Sequence, residues 1–217
     1  MTARYPGQAG RRALLASLAV LTGIVGALVL YETSLEPGAA LVTAVFDSAP
    51  EVIPPAGFAR IARTVTEQRV PVPTAGAPTA HLDIDTPEGG RGPRPVILWV
   101  HGGGFISSSS ATVRDYAILL AHAGYTVASL DYSLAPGSRY PVPVRQGNAA
   151  LRYLHEHAGR FGGEPGRIVL GGDSAGAQIA SQLAAVQTDP ALARSVGMAA
   201  ALTPPHPARR RAVLRPV

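Results

Sequence analysis

Hydrophobic and polar positions along the chain predict one long apolar helix followed by a layered domain. Residues 13–31 are nineteen consecutive uncharged residues, with Arg11 and Arg12 before them and Glu32 and Glu36 after them. As an α-helix this segment would be about 28 Å long, close to the thickness of the hydrocarbon core of a bilayer. This length predicts an uncleaved transmembrane anchor, with a cleaved signal sequence and a buried soluble helix as the alternatives.

The charges that flank this segment predict its orientation. Arginines precede it and glutamates follow it, and positive residues are retained preferentially on the cytoplasmic side of a membrane. We therefore expect residues 1–31 to form a cytoplasmic segment and anchor, and the remaining chain to be extracytoplasmic, or secreted if the segment is cleaved. Residues 32–60 are rich in Pro, Gly and Ala and predict a linker with a short helix near 39–46.

Residues 61–203 alternate between strand and helix patterns. Two segments of alternating polarity, 64–72 and 79–85, flank turn residues and predict an antiparallel hairpin. Short apolar segments predict buried strands and segments with helical spacing predict helices: strands at 95–100, 125–130 and 167–170, helices at 113–123, 142–157 and 174–187, and a candidate last strand at 195–202. This order predicts an α/β domain with a mostly parallel sheet and crossover helices, and ligands at the carboxyl ends of the strands.

Composition and charge limit the chemistry. The chain is 47% apolar and contains no cysteine, so it can form a core but no disulfide, cysteine metal site or thiol nucleophile. All 19 basic residues are Arg, and seven of them lie near the two ends, including the Pro- and Arg-rich tail 204–217. The body is therefore slightly acidic, and we expect no nucleic-acid partner. His155 and His157 point to different faces of a predicted helix, and nothing indicates a metal or an organic cofactor.

One glycine-rich motif lies directly between a predicted strand and a predicted helix. Residues 171–176 read GGDSAG and contain the pattern Gly-x-Ser-x-Gly at Gly172, Ser174 and Gly176. On a sharp strand-to-helix turn the serine hydroxyl projects above the sheet, and the start of the helix directs N–H groups at negative charge. The motif predicts a catalytic nucleophile at Ser174, with a glycine-rich helix cap as the alternative.

A second glycine-rich motif, HGGGF, begins at His101, directly after the strand predicted at 95–100. Consecutive glycines let bare main chain approach a substrate and direct N–H groups at its carbonyl oxygen. We expect the N–H groups of Gly103, Gly104 and Ala175 to form an oxyanion hole, with a flexible glycine turn as the alternative. His101 precedes the serine in the chain, so we expect it to orient the loop rather than to act as the base.

HGGGF, then DYSLAP followed by RYPVPV, and finally GDSAG occur in an order and spacing that resembles the hormone-sensitive-lipase-like branch of the α/β-hydrolase fold. The resemblance covers residues 64–203 and implies a carboxylesterase or lipase acting on a small ester or lipid-like substrate. The segment 132–136 is similar to a structural loop of that family, and Gly137 stands where members usually carry an acid. The implied site has Ser174 as nucleophile, oxyanion donors at Gly103, Gly104 and Ala175, and supporting motif residues at His101, Gly102, Gly172, Asp173 and Gly176.

The acid and base that should activate the serine are not evident. In this fold they follow the nucleophile in the order acid, then histidine, and only Asp189 and His206 follow Ser174. A helix about 20 Å long separates Asp189 from the serine, so we do not expect Asp189 to orient a base. His206, in the stiff segment TPPHP, is the candidate base, and no nearby acid would hold its tautomer. Two hypotheses follow: a membrane-tethered serine ester hydrolase, or a truncated or frame-disrupted hydrolase-like protein with impaired catalysis. The oligomeric state is left open.

Overall fold

The computed structural model describes residues 8–48, 53–89 and 92–202. Its N-terminal helices are α1 (Gln8–Thr33), α2 (Glu36–Asp47) and α3 (Phe58–Ala62). The strands are β1 (Val65–Val72), β2 (Ala80–Pro87), β3 (Arg94–Val100), β4 (Thr126–Asp131) and β5 (Gly163–Gly172). The remaining helices are α4 (Arg114–His122), α5 (Val142–His157), α6 (Ser174–Thr188) and α7 (Pro190–Ser195), with single 3-10 turns at Ser110–Val113 and Ala158–Phe161.

The five strands form one mixed sheet in the order β1-β2-β4-β3-β5. The short β1–β2 connection imposes an antiparallel pair, as predicted, and β2 is also antiparallel to β4. By contrast, β3 is parallel to both β4 and β5, because helices connect these strands. The predicted α/β-hydrolase architecture is confirmed, and its sheet is mixed in this part of the chain.

Helices cover both faces of the sheet, so the central strands are apolar on both sides. One face packs on α5 and α6 through a core that includes Leu82, Leu98, Leu130, Leu151, Leu154 and Leu183. The other face packs on α3 and α4 through a smaller core that includes Val65, Ile97, Ile118 and Val127. This two-sided burial explains why residues 95–100 are almost continuously apolar. It also fixes the ends of β3 and β5 from which the glycine motifs emerge.

The candidate strand at 195–202 is wrong. Residues 190–195 form α7, and residues 196–202 are in no strand. The N–H groups of Ala201 and Leu202 donate to Gln187 Oε1, at 2.7 and 2.9 Å, and the carbonyl of Ala199 accepts from Asn148 Nδ2 at 2.8 Å. Side chains of α5 and α6 therefore satisfy these main-chain groups, which a strand would instead have paired with the sheet.

The N-terminal region contains more helix than the sequence pattern predicts. The apolar helix Gly10–Thr33 is long enough to cross a membrane and none of it is buried in the protein, and a signal sequence has the same features. The short helix expected near 39–46 is part of the longer α2, which begins at Glu36. The division into anchor 1–31, linker 32–60, domain 61–203 and tail 204–217 stays a prediction, and the tail lies outside the described residues.

Candidate active site

The two glycine motifs leave the carboxyl ends of neighbouring parallel strands. His101 directly follows Val100, the last residue of β3, and Asp173 follows Gly172, the last residue of β5. Val100 and Gly172 are partners in the β3–β5 ladder. The two loops therefore start side by side, at the edge of the sheet where α/β folds bind their ligands.

Ser174 occupies a sharp turn between β5 and α6. Its φ is +47°, in the left-handed region, while the preceding Asp173 is extended with φ of −115°. A non-glycine residue in this region costs about 1–3 kcal/mol and persists only where the surroundings impose it. Ser174 is the first residue of α6, and its side chain is exposed. The turn thus presents the hydroxyl to solvent at the N-terminus of a helix.

The glycines on either side of Ser174 allow α6 to start against the main chain that follows β3. A Cβ placed on Gly172 would lie 2.6 Å from the carbonyl oxygen of Val100. A Cβ on Gly176 would overlap that same oxygen and lie 2.5 Å from the carbonyl oxygen of His101. Since both obstacles are main-chain atoms, neither position can accept a side chain without moving one loop relative to the other.

Asp173 links the serine turn to the HGGGF loop. The N–H of Gly102 donates to Asp173 Oδ2 at 3.0 Å, although the aspartate itself is largely exposed. A charged acceptor makes this a comparatively strong hydrogen bond. The sequence marks Asp173 only as part of the motif, because its hydrogen-bond partner is seventy-one positions away in the chain.

The HGGGF loop turns sharply, and two of its N–H groups, together with one on the serine turn, have no acceptor among the described residues. Gly103 and Gly104 have φ of +100° and +60°, and the carbonyl of Gly103 accepts from the N–H of Ile106 at 3.1 Å and of Ser107 at 3.0 Å. Within the described ranges, no hydrogen bond is donated by the N–H of Gly103, Gly104 or Ala175. The arrangement can therefore supply donors to an anionic oxygen near Ser174.

His101 lies beneath this loop rather than in the open site. Its side chain is 1% exposed, its Nδ1 is 2.8 Å from the carbonyl oxygen of Gly102, and its ring stacks on Tyr132 at 4.3 Å between centroids. Burial lowers the pKa of His101, against the opposing effect of the Gly102 hydrogen bond. A neutral ring therefore supports the loop from below.

Tyr132 holds the HGGGF loop, and Gln146 fixes the segment that follows Tyr132. The Tyr132 hydroxyl donates to the carbonyl oxygens of His101 and Gly102, at 3.1 and 3.3 Å, and burial raises its pKa to about 12. Gln146 is fully buried on α5, and its Oε1 accepts from the N–H of Ser133 at 2.8 Å. The sequence does not point to Gln146, because nothing near a polar residue in a helix shows that it is buried against a segment elsewhere in the chain.

The structure does not bring an acid and a base to Ser174 within the described residues. Asp189 lies beyond the far end of α6, about 22 Å along the helix axis. Its Oδ1 accepts from the N–H groups of Ala191 and Leu192, at 2.8 and 3.1 Å, and so caps α7. Residues 175–202 contain no histidine, and His206 lies outside the described residues.

Helix α2 reaches the HGGGF loop from the N-terminal side. Thr43 Oγ1 donates to the carbonyl oxygen of Ile106 at 3.1 Å. The ring of Phe46 lies 3.4 Å from the point where a Cβ on Gly104 would stand. Both residues lie in the segment predicted to be a linker. The apolar stretch that contains them was the only sign in the sequence that they contact the domain. An aromatic side chain from α2 therefore borders the proposed oxyanion loop.

A separate polar cavity lies on the α4 face of the sheet. Its volume is about 310 Å³, and Asp85, Ser129, Glu67 and Arg114 are among its lining residues. Burial raises the pKa of Asp85 to about 7, with Glu67 and Asp83 adding to the effect and Arg114 opposing it. The Ser129 hydroxyl has no hydrogen-bond partner among the described residues. Nor does any group of three His, Asp or Glu side chains in those ranges have the arrangement of a metal site.

Several curated proteins similar to this chain are named esterases. Esterase LipI of Mycobacterium tuberculosis is 38% identical over 120 residues, which are 48% of this chain and 37% of the relative. Carboxylic ester hydrolase LipN of the same organism is 36% identical over 129 residues, 58% of this chain and 33% of the relative. The acetyl esterase of Salmonella schwarzengrund is 35% identical over 112 residues, 49% and 34%. The matched segment spans about a third of the length of these relatives.

Solved structures of esterases share the fold. A bacterial heroin esterase is 30% identical with a TM-score of 0.56, over 78% of this chain and 49% of the esterase. The metagenomic carboxylesterase EstE1 is 28% identical with a TM-score of 0.53, over 75% and 48%. A family profile described as alpha/beta hydrolase fold matches residues 97–213, more than half of the chain. The chain therefore belongs to the α/β-hydrolase fold family, in its hormone-sensitive-lipase-like branch.

Proposed function

We propose that this chain is a serine hydrolase that cleaves carboxylic esters through an acyl-enzyme at Ser174. One observation carries the proposal: an exposed serine hydroxyl in a left-handed turn lies beside a glycine loop in which the N–H groups of Gly103 and Gly104 donate no hydrogen bond to the described residues, and Asp173 joins the two turns by accepting from the N–H of Gly102. The esterase names of the relatives support the same reaction class. Small or lipid-like esters are the substrates that this chemistry takes, and the reaction requires no cofactor.

The proposed reaction has two steps. Ser174 Oγ attacks the ester carbonyl carbon, and the carbonyl oxygen becomes an oxyanion that accepts hydrogen bonds from the N–H groups of Gly103, Gly104 and Ala175. Each such donor typically stabilises the transition state by about 3 kcal/mol. Breaking the carbon–oxygen bond to the leaving group forms the acyl-enzyme, and the departing oxygen takes up the proton that the serine hydroxyl has lost, which releases the alcohol. Water then attacks the acyl carbon, releasing the acid and restoring the hydroxyl.

The position of Asp189 supports a second candidate function, a hydrolase-like protein with impaired turnover. Asp189 is the only carboxylate between Ser174 and the last described residue, and it is engaged as a helix cap. Without a base oriented by an acid, a serine site retains only the residual acceleration that its oxyanion hole and substrate binding provide. His206 remains the candidate base, and its removal tests this role.

The test compares the full chain in detergent micelles with Ser174→Ala and His206→Ala, using nitrophenyl acetate and butyrate. An active esterase exceeds Ser174→Ala by about 10³-fold or more, the scale of losing a triad nucleophile. A difference below about ten-fold supports the impaired protein instead. Equal rates, together with no labelling of Ser174 by a fluorophosphonate, would reject the proposed hydrolase. If His206→Ala matches the unmodified chain, then His206 is not the base.

We further propose that α1 is an uncleaved anchor, with its N-terminus in the cytoplasm and the hydrolase body outside. The apolar length of Gly10–Thr33 and the position of Arg11 and Arg12 before it support this orientation. A phosphatase reporter fused after Glu36 is active only outside the cytoplasm, so an inactive fusion would contradict the orientation. Sequencing the N-terminus of the mature protein separates an anchor from secretion after signal cleavage.

A further inference from the structure

Exposed large apolar side chains are concentrated at the N-terminal end of the described structure. Eleven lie on α1, between Leu14 and Tyr31, and five more follow within residues 35–46. After Ile53, only three are exposed in the described ranges, and they are scattered: Tyr116, Tyr140 and Val169. Scattered apolar residues are normal on a protein surface, whereas a continuous group marks a contact with another apolar phase.

Helix α2 has one face on the hydrolase body and another in solvent. Thr43 contacts the loop after the HGGGF motif. Leu41 and Val45 are one turn apart on the opposite side of the helix, and they are 64% and 65% exposed, with Val42 beside them at 42%. We call these three residues the α2 apolar face. Most of the surface of Leu41 and Val45 is uncovered in the described structure.

The α2 apolar face is continuous with the candidate membrane span. Only Ser34 and Leu35 separate the end of α1 from the start of α2, so α2 begins within about 10 Å of the end of α1. With Gly10–Thr33 across the hydrocarbon core, α2 starts at the level of the lipid headgroups. Its twelve residues make a helix about 18 Å long, and an amphipathic helix at this level buries its apolar face at the acyl boundary.

We propose that α2 lies in the interface of the bilayer that α1 crosses, with the α2 apolar face toward the lipid, and that the Ser174 site takes membrane-dissolved esters. The substrate class rests on the hydrolase function proposed above. Phe46 joins the two regions, because its ring lies 3.4 Å from the point where a Cβ on Gly104 would stand while its side chain remains 49% exposed. An acyl chain leaving the lipid can therefore follow apolar surface as far as the oxyanion loop.

The attraction to the bilayer is apolar rather than electrostatic. Helix α2 contains Glu36 and Asp47 and no basic residue, so it has no charge complementarity to anionic lipid. Zwitterionic phosphatidylcholine should therefore suffice, and raising the salt concentration should not release the helix, since salt screens only charge interactions.

A fluorescent label tests the position of α2 independently of catalysis. Because the chain has no cysteine, Val45→Cys carries a single nitrobenzoxadiazole, and Val169→Cys, at a site 52% exposed, is the matched control. In the full chain in phosphatidylcholine vesicles, we expect blue-shifted emission and several-fold stronger quenching by spin-labelled lipid at position 45 than at 169, unchanged by 1 M salt. Equal access of aqueous iodide to both labels would overturn the proposal, as would a label shielded from iodide but not quenched by lipid.

A second experiment tests the substrate class. The rate on a long-chain nitrophenyl ester dissolved in the vesicles is divided by the rate on aqueous nitrophenyl acetate. We expect the double change Leu41→Asp with Val45→Asp to lower this ratio about ten-fold, and Val169→Asp to leave it unchanged. An unchanged ratio in the double variant would overturn the substrate assignment. Should the unmodified chain cleave acetate no faster than Ser174→Ala, the hydrolase proposal fails instead, while the label still reports on α2.

Discussion

Glycines around the proposed active site and glycines in the N-terminal helices have opposite surroundings. A Cβ on Gly176 or Gly172 would collide with main-chain oxygens of β3 and the loop after it. A Cβ on Gly23, Gly26 or Gly38 would meet no atom within 4 Å. Close contact between distant segments requires glycine in the first region, whereas the second region has open space around its glycines.

This contrast separates a rigid region from a permissive one. Around Ser174, main chain packs on main chain, so a shift of a few tenths of an ångström would move the serine turn relative to the HGGGF loop. Helices α1 and α2 expose apolar surface, and α2 approaches the body through Thr43 and Phe46. Changes in the first region should therefore affect catalysis, and changes in the second should affect partition into lipid.

The largest effect is expected from a substitution in the rigid region around Ser174. Gly176→Ala places a methyl group on the carbonyl oxygens of Val100 and His101, which cannot move without displacing β3. We expect the free energy of unfolding to fall by about 3 kcal/mol, at the upper end of the range for overpacking, and ester hydrolysis to be lost. Thermal unfolding in micelles measures the first and nitrophenyl acetate the second. Unfolding and activity like those of the unmodified chain would contradict this contact geometry.

The link between the two motifs should have the next largest effect. Asp173→Ala removes the acceptor for the N–H of Gly102, so the proposed oxyanion loop is less well positioned. We expect kcat to fall about ten-fold with little change in KM, since the loop acts in the transition state, and stability to fall by about 1 kcal/mol. Asp173→Asn keeps an oxygen acceptor and should restore most of kcat. Equal losses in both variants would show that the hydrogen bond is not the cause.

The buried carboxyl of Asp85 provides a test of the packing away from the Ser174 site. The pKa of Asp85 rises from an ordinary 3.8 to about 7. Between these pH values the folded protein therefore binds a proton that the unfolded chain has released. Stability from this group is fully present below pH 3.8 and is lost as the pH rises to about 7. We expect Asp85→Asn to reduce this dependence of stability on pH and to stabilise the protein at pH 8 by roughly 1–3 kcal/mol. Parallel pH curves of unfolding midpoint for both chains would contradict the buried carboxyl.

The smallest effect is expected in the permissive region. Gly38→Ala adds a methyl group in open space on α2 and improves helix propensity by about 0.5–1 kcal/mol. We expect slightly higher thermal stability and unchanged hydrolysis of nitrophenyl acetate. It is the matched control for Gly176→Ala, because the same chemical change is made in the other region. A marked loss of activity would show that α2 is held far more tightly than its contacts indicate.

Local patterns predicted the helices and strands well, but they did not predict which distant segments contact each other. The segment 142–157 is a helix with the predicted bounds, because its apolar spacing repeats with the helical period. The candidate strand at 195–202 had suitable composition, yet Gln187 and Asn148 bind its main chain instead of the sheet. Likewise, nothing local to residues 36–47 indicates that Thr43 and Phe46 reach a loop some sixty positions later.

The sequence by itself determined the α/β order of elements, the glycine pattern around Ser174, the three-glycine loop and the long apolar helix. Each is encoded in neighbouring residues, through hydrophobic period or the conformations that glycine permits. Only the tertiary structure decided that Asp173 binds Gly102, that Tyr132 supports the HGGGF loop while Gln146 binds Ser133, and that Phe46 of α2 lies near Gly104. These contacts join residues far apart in the chain, and they exist only because packing of the sheet and its helices brings those residues within hydrogen-bonding or van der Waals distance.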